Sequence, residues 1–251
     1  MKSVFMASVA VATLIAAPAF AQDTVAYAGL SFQAKQTDNS YNDIEENITA
    51  VEGAVSTPIF GNWTVAANLE AKYVDSNWYS SESELQGTVA LTKLIGTYRV
   101  GGLYAATEAF GETMSTFGVV ADKYFDRATV GGAVTYSSIY GYDIWGVEAD
   151  AAYYPMPALR LNAGVRYQDN EARWGYGSES VTGTVGAEYQ IASSPYTVYG
   201  NYAYTDNNSY AMDFDSFKVG VRYNFGGTLQ SRDQAGIRVQ KGTYLPTFML
   251  D

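Results

Sequence analysis

The chain has 251 residues, no cysteine and no histidine, and 26 Asp and Glu against 15 Lys and Arg, for a formal net charge of −11. The missing cysteines exclude a disulfide scaffold, and the missing histidines remove the commonest general base, metal ligand and pH switch. The acidic balance argues against nucleic acid as a partner.

The first stretch reads as an export signal over residues 1–21: Lys2 supplies the charge, residues 4–17 the apolar run, and Ala19, Phe20 and Ala21 the small-residue cleavage site. Beyond it no run approaches the roughly 20 apolar residues of a membrane-spanning helix, so membrane insertion would have to use strands. Twelve alternating runs follow, at 24–34, 48–56, 63–72, 85–92, 98–106, 116–125, 128–136, 144–154, 159–168, 181–191, 196–204 and 217–225. In the ninth, Leu159, Leu161, Ala163, Val165 and Tyr167 oppose Arg160, Asn162, Gly164, Arg166 and Gln168. Short turns follow the even-numbered runs, at 58–62, 93–96, 126–127, 155–157 and 193–195. Longer, polar, acidic segments follow the odd-numbered ones, at 36–47, 75–82, 108–113, 138–143, 169–179 and 205–213. This sorting, with the even count, predicts an all-β, transmembrane, antiparallel up-and-down barrel of 12 strands, with 10 or 14 as alternatives. A soluble exported β-protein is the competing reading.

The last run sets Phe217, Val219, Val221, Tyr223 and Phe225 on one face against Lys218, Gly220, Arg222 and Asn224 on the other. With its terminal Tyr223-x-Phe225 it resembles the closing signal strand of Gram-negative outer-membrane barrels, and residues 22–226 are similar in plan to small porin-like barrels. The resemblance implies residence in the cell outer membrane and recognition of those five residues by the barrel-assembly machinery. The chain departs from the pattern by continuing past Phe225. Residues 227–251 read as a periplasmic tail, first as an unstructured end, with a lumen plug or a cell-wall contact as alternatives.

Charges on the polar strand faces are nearly balanced: Glu52, Glu70, Glu84, Asp122, Glu148, Asp150 and Glu188 against Lys72, Arg99, Arg160, Arg166, Lys218 and Arg222. Twelve strands tilted by about 40° give a backbone diameter of roughly 24 Å and a clear lumen on the order of 10 Å. The charges then either select small solutes or satisfy one another across neighbouring strands. Small inward residues such as Gly131, Ala133, Thr135, Thr182, Thr184 and Gly186 favour an open passage.

The loop acids predict a mouth that concentrates cations and that divalent ions could bridge to lipopolysaccharide. Asp38, Asp43, Glu45 and Glu46 are a weak metal candidate without calcium-loop spacing, and solvated acidic loops are the simpler reading. Trp63, Tyr98, Phe125, Tyr153, Tyr196, Tyr223 and Phe225 form one expected aromatic girdle, with Tyr73, Trp145, Tyr167 and Tyr204 toward the other. Trp78, Tyr79, Trp174 and Tyr176 are loop aromatics that could meet sugars. No cofactor and no catalysis are expected: outer-membrane enzyme families generally use an active-site histidine, and the acid pairs Glu148/Asp150 and Asp213/Asp215 lack a visible facing partner. The expected function is passive diffusion of small hydrophilic solutes or ions with a cation preference. The alternative is a non-conducting structural or surface barrel that meets lipopolysaccharide, a host or a phage through its acidic loops.

Overall fold

The computed structural model describes residues 24–38, 43–78, 80–109, 112–139, 141–172, 177–208 and 212–238. The export signal, Tyr79, Trp174, Tyr176 and the tail beyond residue 238 lie outside the described residues.

The strands are β1 (Val25–Asp38), β2 (Asp43–Phe60), β3 (Trp63–Ser76), β4 (Glu82–Ile95), β5 (Tyr98–Ala109) and β6 (Glu112–Tyr124). They continue with β7 (Ala128–Ile139), β8 (Tyr142–Met156), β9 (Leu159–Ala172), β10 (Gly177–Gln190), β11 (Tyr196–Asn207) and β12 (Met212–Phe225), followed by a short helix, α1 (Leu229–Gln234). Each strand pairs antiparallel with its sequence neighbours, and β12 returns to β1 to close the barrel. That seam runs in unbroken register from Ala26 opposite Phe225 to Asp38 opposite Asp213. Closure leaves no strand edge, which is what a sheet needs where no water can satisfy the backbone.

Period-two alternation gives the wall two unlike faces. Outward, Leu30 and Val119 are each 62% exposed, and Val51, Val89, Val147, Val165, Val185 and Val221 stand with them around the barrel. An apolar belt of this extent has no stable place in water and suits hydrocarbon. Aromatics flank it. On the side of the chain termini, Phe60 meets Trp63, Tyr196 meets Tyr223 edge-on at 5.2 Å, and Lys93 and Lys123 lie over Trp63 and Tyr98. On the other side Tyr104 packs on Phe117 and Tyr136 on Trp145.

Inward, the wall is uneven. Ala66, Ala90, Leu103, Val120 and Ala133 make a buried apolar patch across β3 to β7, whereas β2, β3, β9, β10 and β12 carry a connected set of ion pairs.

Two expectations change in the structure. The polar segments after the odd strands are largely strand: β2 begins at Asp43 rather than residue 48, and β12 at Met212 rather than 217. A bilayer needs about 9–11 residues of a tilted strand. The 18-residue β2 therefore stands well clear of it, and the acidic rim is hydrogen-bonded hairpin, not coil. At the terminal side Pro58 and Pro155 belong to β2 and β8, where register shifts between Pro58 and Phe60 and between Tyr153 and Met156 accommodate them.

Candidate functional site

The lumen holds two connected constructions, a wall of ion pairs and a folded-back tail. In the wall, Arg222 is the hub. Its Nε donates to Glu52 Oε1 at 2.7 Å and its Nη1 to Glu188 Oε2 at 3.2 Å. The guanidinium lies over the rings of Tyr27 and Tyr199, at 4.4 and 4.1 Å, and the Tyr199 hydroxyl donates to the same Glu52 oxygen at 2.8 Å. Glu188 also accepts from Thr197 at 3.0 Å and pairs with Arg160 Nη2 at 2.8 Å. Lys218 bridges Glu70 at 2.6 Å and Glu52 at 3.6 Å. Toward the rim Lys72 reaches Glu84 and Gln86, both at 3.3 Å, and Lys35 pairs with Glu46.

Glu52, Glu188 and Arg222 are buried, so every one of these charges depends on its partners for the solvation it lost. Arg99 sits across from Asp122, and Glu148 across from Arg166, in the strand register. Arg99 donates its Nε to Tyr124 and its Nη1 to Thr92, both at 3.0 Å. The sequence-named charges thus divide into a connected cluster (Glu52, Glu70, Arg160, Glu188, Lys218, Arg222), the separate Lys72–Glu84 pair, and Arg99, Asp122, Glu148, Asp150 and Arg166 on β5, β6, β8 and β9.

Residues 228–238, in the described part of the tail, depart from the unstructured end first expected of it. Gly226 and Gly227 both take positive φ, +79° and +60°, a conformation that costs glycine little and turns the chain back under the barrel. Thr228 caps α1, accepting from the Ser231 amide, while the Ser231 hydroxyl accepts from the Thr228 amide in return. Leu229 is buried against Ala152 and Tyr154. The rest of the segment is held by inward groups of five strands. Arg99 Nη2 donates to the Gln234 carbonyl at 2.8 Å, and Ser56 Oγ to that of Ala235 at 2.6 Å. Thr129 and Tyr154 hydroxyls both donate to Asp233 Oδ2, at 2.7 and 2.5 Å. Arg238 pairs with Asp150 and, at 3.2 Å, with Asp233. Tyr124 on β6 lies at the limit of hydrogen bonding to the Asp233 carbonyl, 3.5 Å. Residues 228–238 therefore form a plug across the barrel at the end that carries both termini and the short turns, which in barrels of this plan is the periplasmic end.

Burial pushes the Asp233 carboxyl up to about 6, against the opposing pull of the Tyr154 and Thr129 hydrogen bonds. Burial also brings the Arg232 guanidinium down to about 10, helped by the nearby Arg160 and Arg222 charges and opposed by Glu188.

Two cavities lie along the lumen. One of about 530 Å³ occupies the outer half, between Lys35, Glu46, Glu70, Lys72, Arg166 and Lys218. The other, about 240 Å³, lies against the tail and is bounded by Arg160, Glu188, Leu229, Arg232 and Arg238. Asn162, Thr184, Asn201 and Arg222 line both, so these four side chains form their common rim.

No protein-family model and no curated protein sequence matches the chain. Among solved structures the chain is similar to the translocator domain of the autotransporter NalP from Neisseria meningitidis, at 12% identity and a TM-score of 0.56 over 89% of this chain and 96% of that one. It is similar to the NanC porin at 13% identity and TM-score 0.56, over 78% of this chain and 100% of that one. To the CymD monoaromatic hydrocarbon channel it has 10% identity and TM-score 0.54, over 86% and 93%. The fold is that of a small porin-like outer-membrane β-barrel. At such identities the likeness concerns architecture alone.

Within that fold Phe217, Val219, Val221, Tyr223 and Phe225 lie on the outer face of β12, opposite Ala34, Phe32, Leu30, Ala28 and Ala26 of β1. The weak metal candidate is divided by the pleat. Glu46 turns inward to Lys35, whereas Asp38, Asp43 and Glu45 are exposed on the outer face, so the four carboxylates do not converge. Alternation alone gave no sign of Lys35, Tyr27 or Tyr199 as members of the network, although each sits at an inward position of its strand. Arg232, Asp233 and Arg238 were hidden because their burial depends on strands far away in the chain. The Thr228-x-x-Ser231 capping pattern was the one local signal of structure in the tail.

Proposed function

We propose that the protein is an outer-membrane channel for passive diffusion of small hydrophilic solutes or ions, without catalysis, whose periplasmic mouth is narrowed by its own C-terminal segment. The observation that carries this reading is the pair of polar cavities that share the Asn162, Thr184, Asn201 and Arg222 rim. A barrel built only as a scaffold has no need of polar-lined volume on both sides of such a rim. That the similar folds include a porin and a channel agrees with it.

A cation preference is supported by the rim. Asp43, Asp38, Asp213 and Asp206 follow one another across β2, β1, β12 and β11 as directly opposed neighbours. Like charges so placed repel, and counter-ions gathered from solution relieve the repulsion. The same row suits divalent ions shared with lipopolysaccharide phosphates. The exposed aromatics of β12 suit recognition by the assembly machinery.

The plug and the buried ion pairs favour a second reading, a barrel that does not conduct and acts through its acidic hairpins. Planar-bilayer recording separates the two. Discrete conductance steps with a reversal potential favouring cations in a salt gradient support the channel; silence from a heat-modifiable, folded sample supports the scaffold.

A further inference from the structure

The inner cavity is bordered by four guanidinium groups, those of Arg160, Arg222, Arg232 and Arg238, and by Glu148, Asp150 and Glu188. The acids are engaged elsewhere: Glu188 with Arg160, Arg222 and Thr197, Asp150 with Arg238, and Glu148 opposite Arg166. Arg232 stands apart. It is only 3% exposed, and its Nη1 donates to the Gly226 and Gly227 carbonyls, at 3.4 and 3.0 Å. Its Nη2 makes no hydrogen bond, and neither does the buried Nε of Arg160 on the facing wall.

Among the described residues no carboxylate pairs with Arg232. The nearby Glu188 that offsets its charge is already shared by Arg160, Arg222 and Thr197, so Arg232 is buried with only an indirect counter-charge, and its unmade charged hydrogen bond adds to the cost. Both costs disappear if an anion enters. A guanidinium fork is suited to planar carboxylates and tetrahedral oxyanions, and charge-assisted hydrogen bonds of this kind are among the strongest available. A volume of 240 Å³ is also ample, since a water in the liquid takes about 30 Å³.

We propose that this cavity binds a small free oxyanion, of the phosphate or carboxylate class, between Arg232 and Arg160. One ligand group belongs to the tail and the other to β9, so the bound ion fastens the tail into the barrel mouth. It is a resident ion at the inner end and not the permeating species, so the site is compatible with a mouth that gathers cations. The inference rests on the docked tail and not on conduction.

Inorganic phosphate is the probe. The folded full-length protein in detergent is titrated calorimetrically with phosphate against chloride at constant ionic strength, and tryptic cleavage after Arg238 is followed in parallel. The expected result is saturable one-site binding that slows the cleavage. Arg232→Gln and Arg160→Lys each lower the affinity about tenfold or more, the effect of one charge-assisted hydrogen bond. Because Arg160→Lys leaves every tail contact in place, its tail stays protected in chloride, which keeps the test valid if Arg232→Gln releases the tail. No saturable binding by the parent protein, or unchanged affinity in both variants, overturns the proposal. Conductance plays no part in these readouts, so a silent barrel that binds phosphate contradicts the channel and not the anion site.

Discussion

The Tyr154 hydroxyl donates a 2.5 Å hydrogen bond to the Asp233 carboxylate, tying β8 to a tail residue that lies 79 positions later in the chain. Thr129, Arg238 and, through the main chain, Tyr124 contact Asp233, and the Arg160 and Asp122 charges act on it in opposite directions. The docked carboxyl titrates at about 6 against an ordinary value of 3.8, so the docked tail holds its proton more tightly than the released one. Docking is therefore strongest below the ordinary value, weakens as the pH rises toward about 6, and is level above that. Hydrogen exchange of the α1 amides, corrected for intrinsic rate, should show protection falling across that window. Asp233→Asn should flatten the dependence.

Removing Arg222 leaves Glu52 and Glu188 buried without their shared cation. Breaking a buried pair by taking one partner costs about 3–5 kcal/mol. Arg222→Met is expected to lower the urea midpoint of the folded barrel by a corresponding amount. The double variant with Glu52→Gln should recover part of the loss, since the remaining charges are then fewer.

The reach of sequence reading is clearest around that same residue. Alternation along 217–225 placed Arg222 opposite to the apolar face, because a strand's pleat is a local property. Its partners Glu52 and Glu188 come from β2 and β10, and which acids meet it is decided by register and closure, which no local pattern encodes. The rim hairpins were read as loops because above the bilayer neither face is apolar, so the alternation fades while the backbone pairing continues. In α1 the sole buried apolar anchor is Leu229, too little for a periodic signal.

Gly101 on β5 allows a close backbone approach to β4. A Cβ there would collide with the Leu91 carbonyl and stand 2.6 Å from the Thr92 Cα, and these are main-chain atoms that cannot swing aside. Gly101→Ala should destabilise the barrel by about 1–3 kcal/mol, read as a lower folded fraction on heat-modifiability gels.

At the seam Phe225 packs on Tyr223 with ring centroids 4.8 Å apart, and Tyr223 in turn packs on Tyr196. Phe225→Ala should forfeit about 0.5–1.5 kcal/mol of aromatic pairing beyond its lost apolar area. If these residues also serve assembly, the variant should accumulate unfolded in cells by more than its stability in refolding assays explains.

In the proposed channel the docked tail narrows a conducting lumen. The direct measurement is unitary conductance in planar bilayers of the full-length barrel beside a chain ending at Gly226, both first shown to be folded by heat modifiability. Conductance steps in the full-length protein that become larger on truncation are the expected result. Equal conductance in the two proteins, or silence from both, would contradict it.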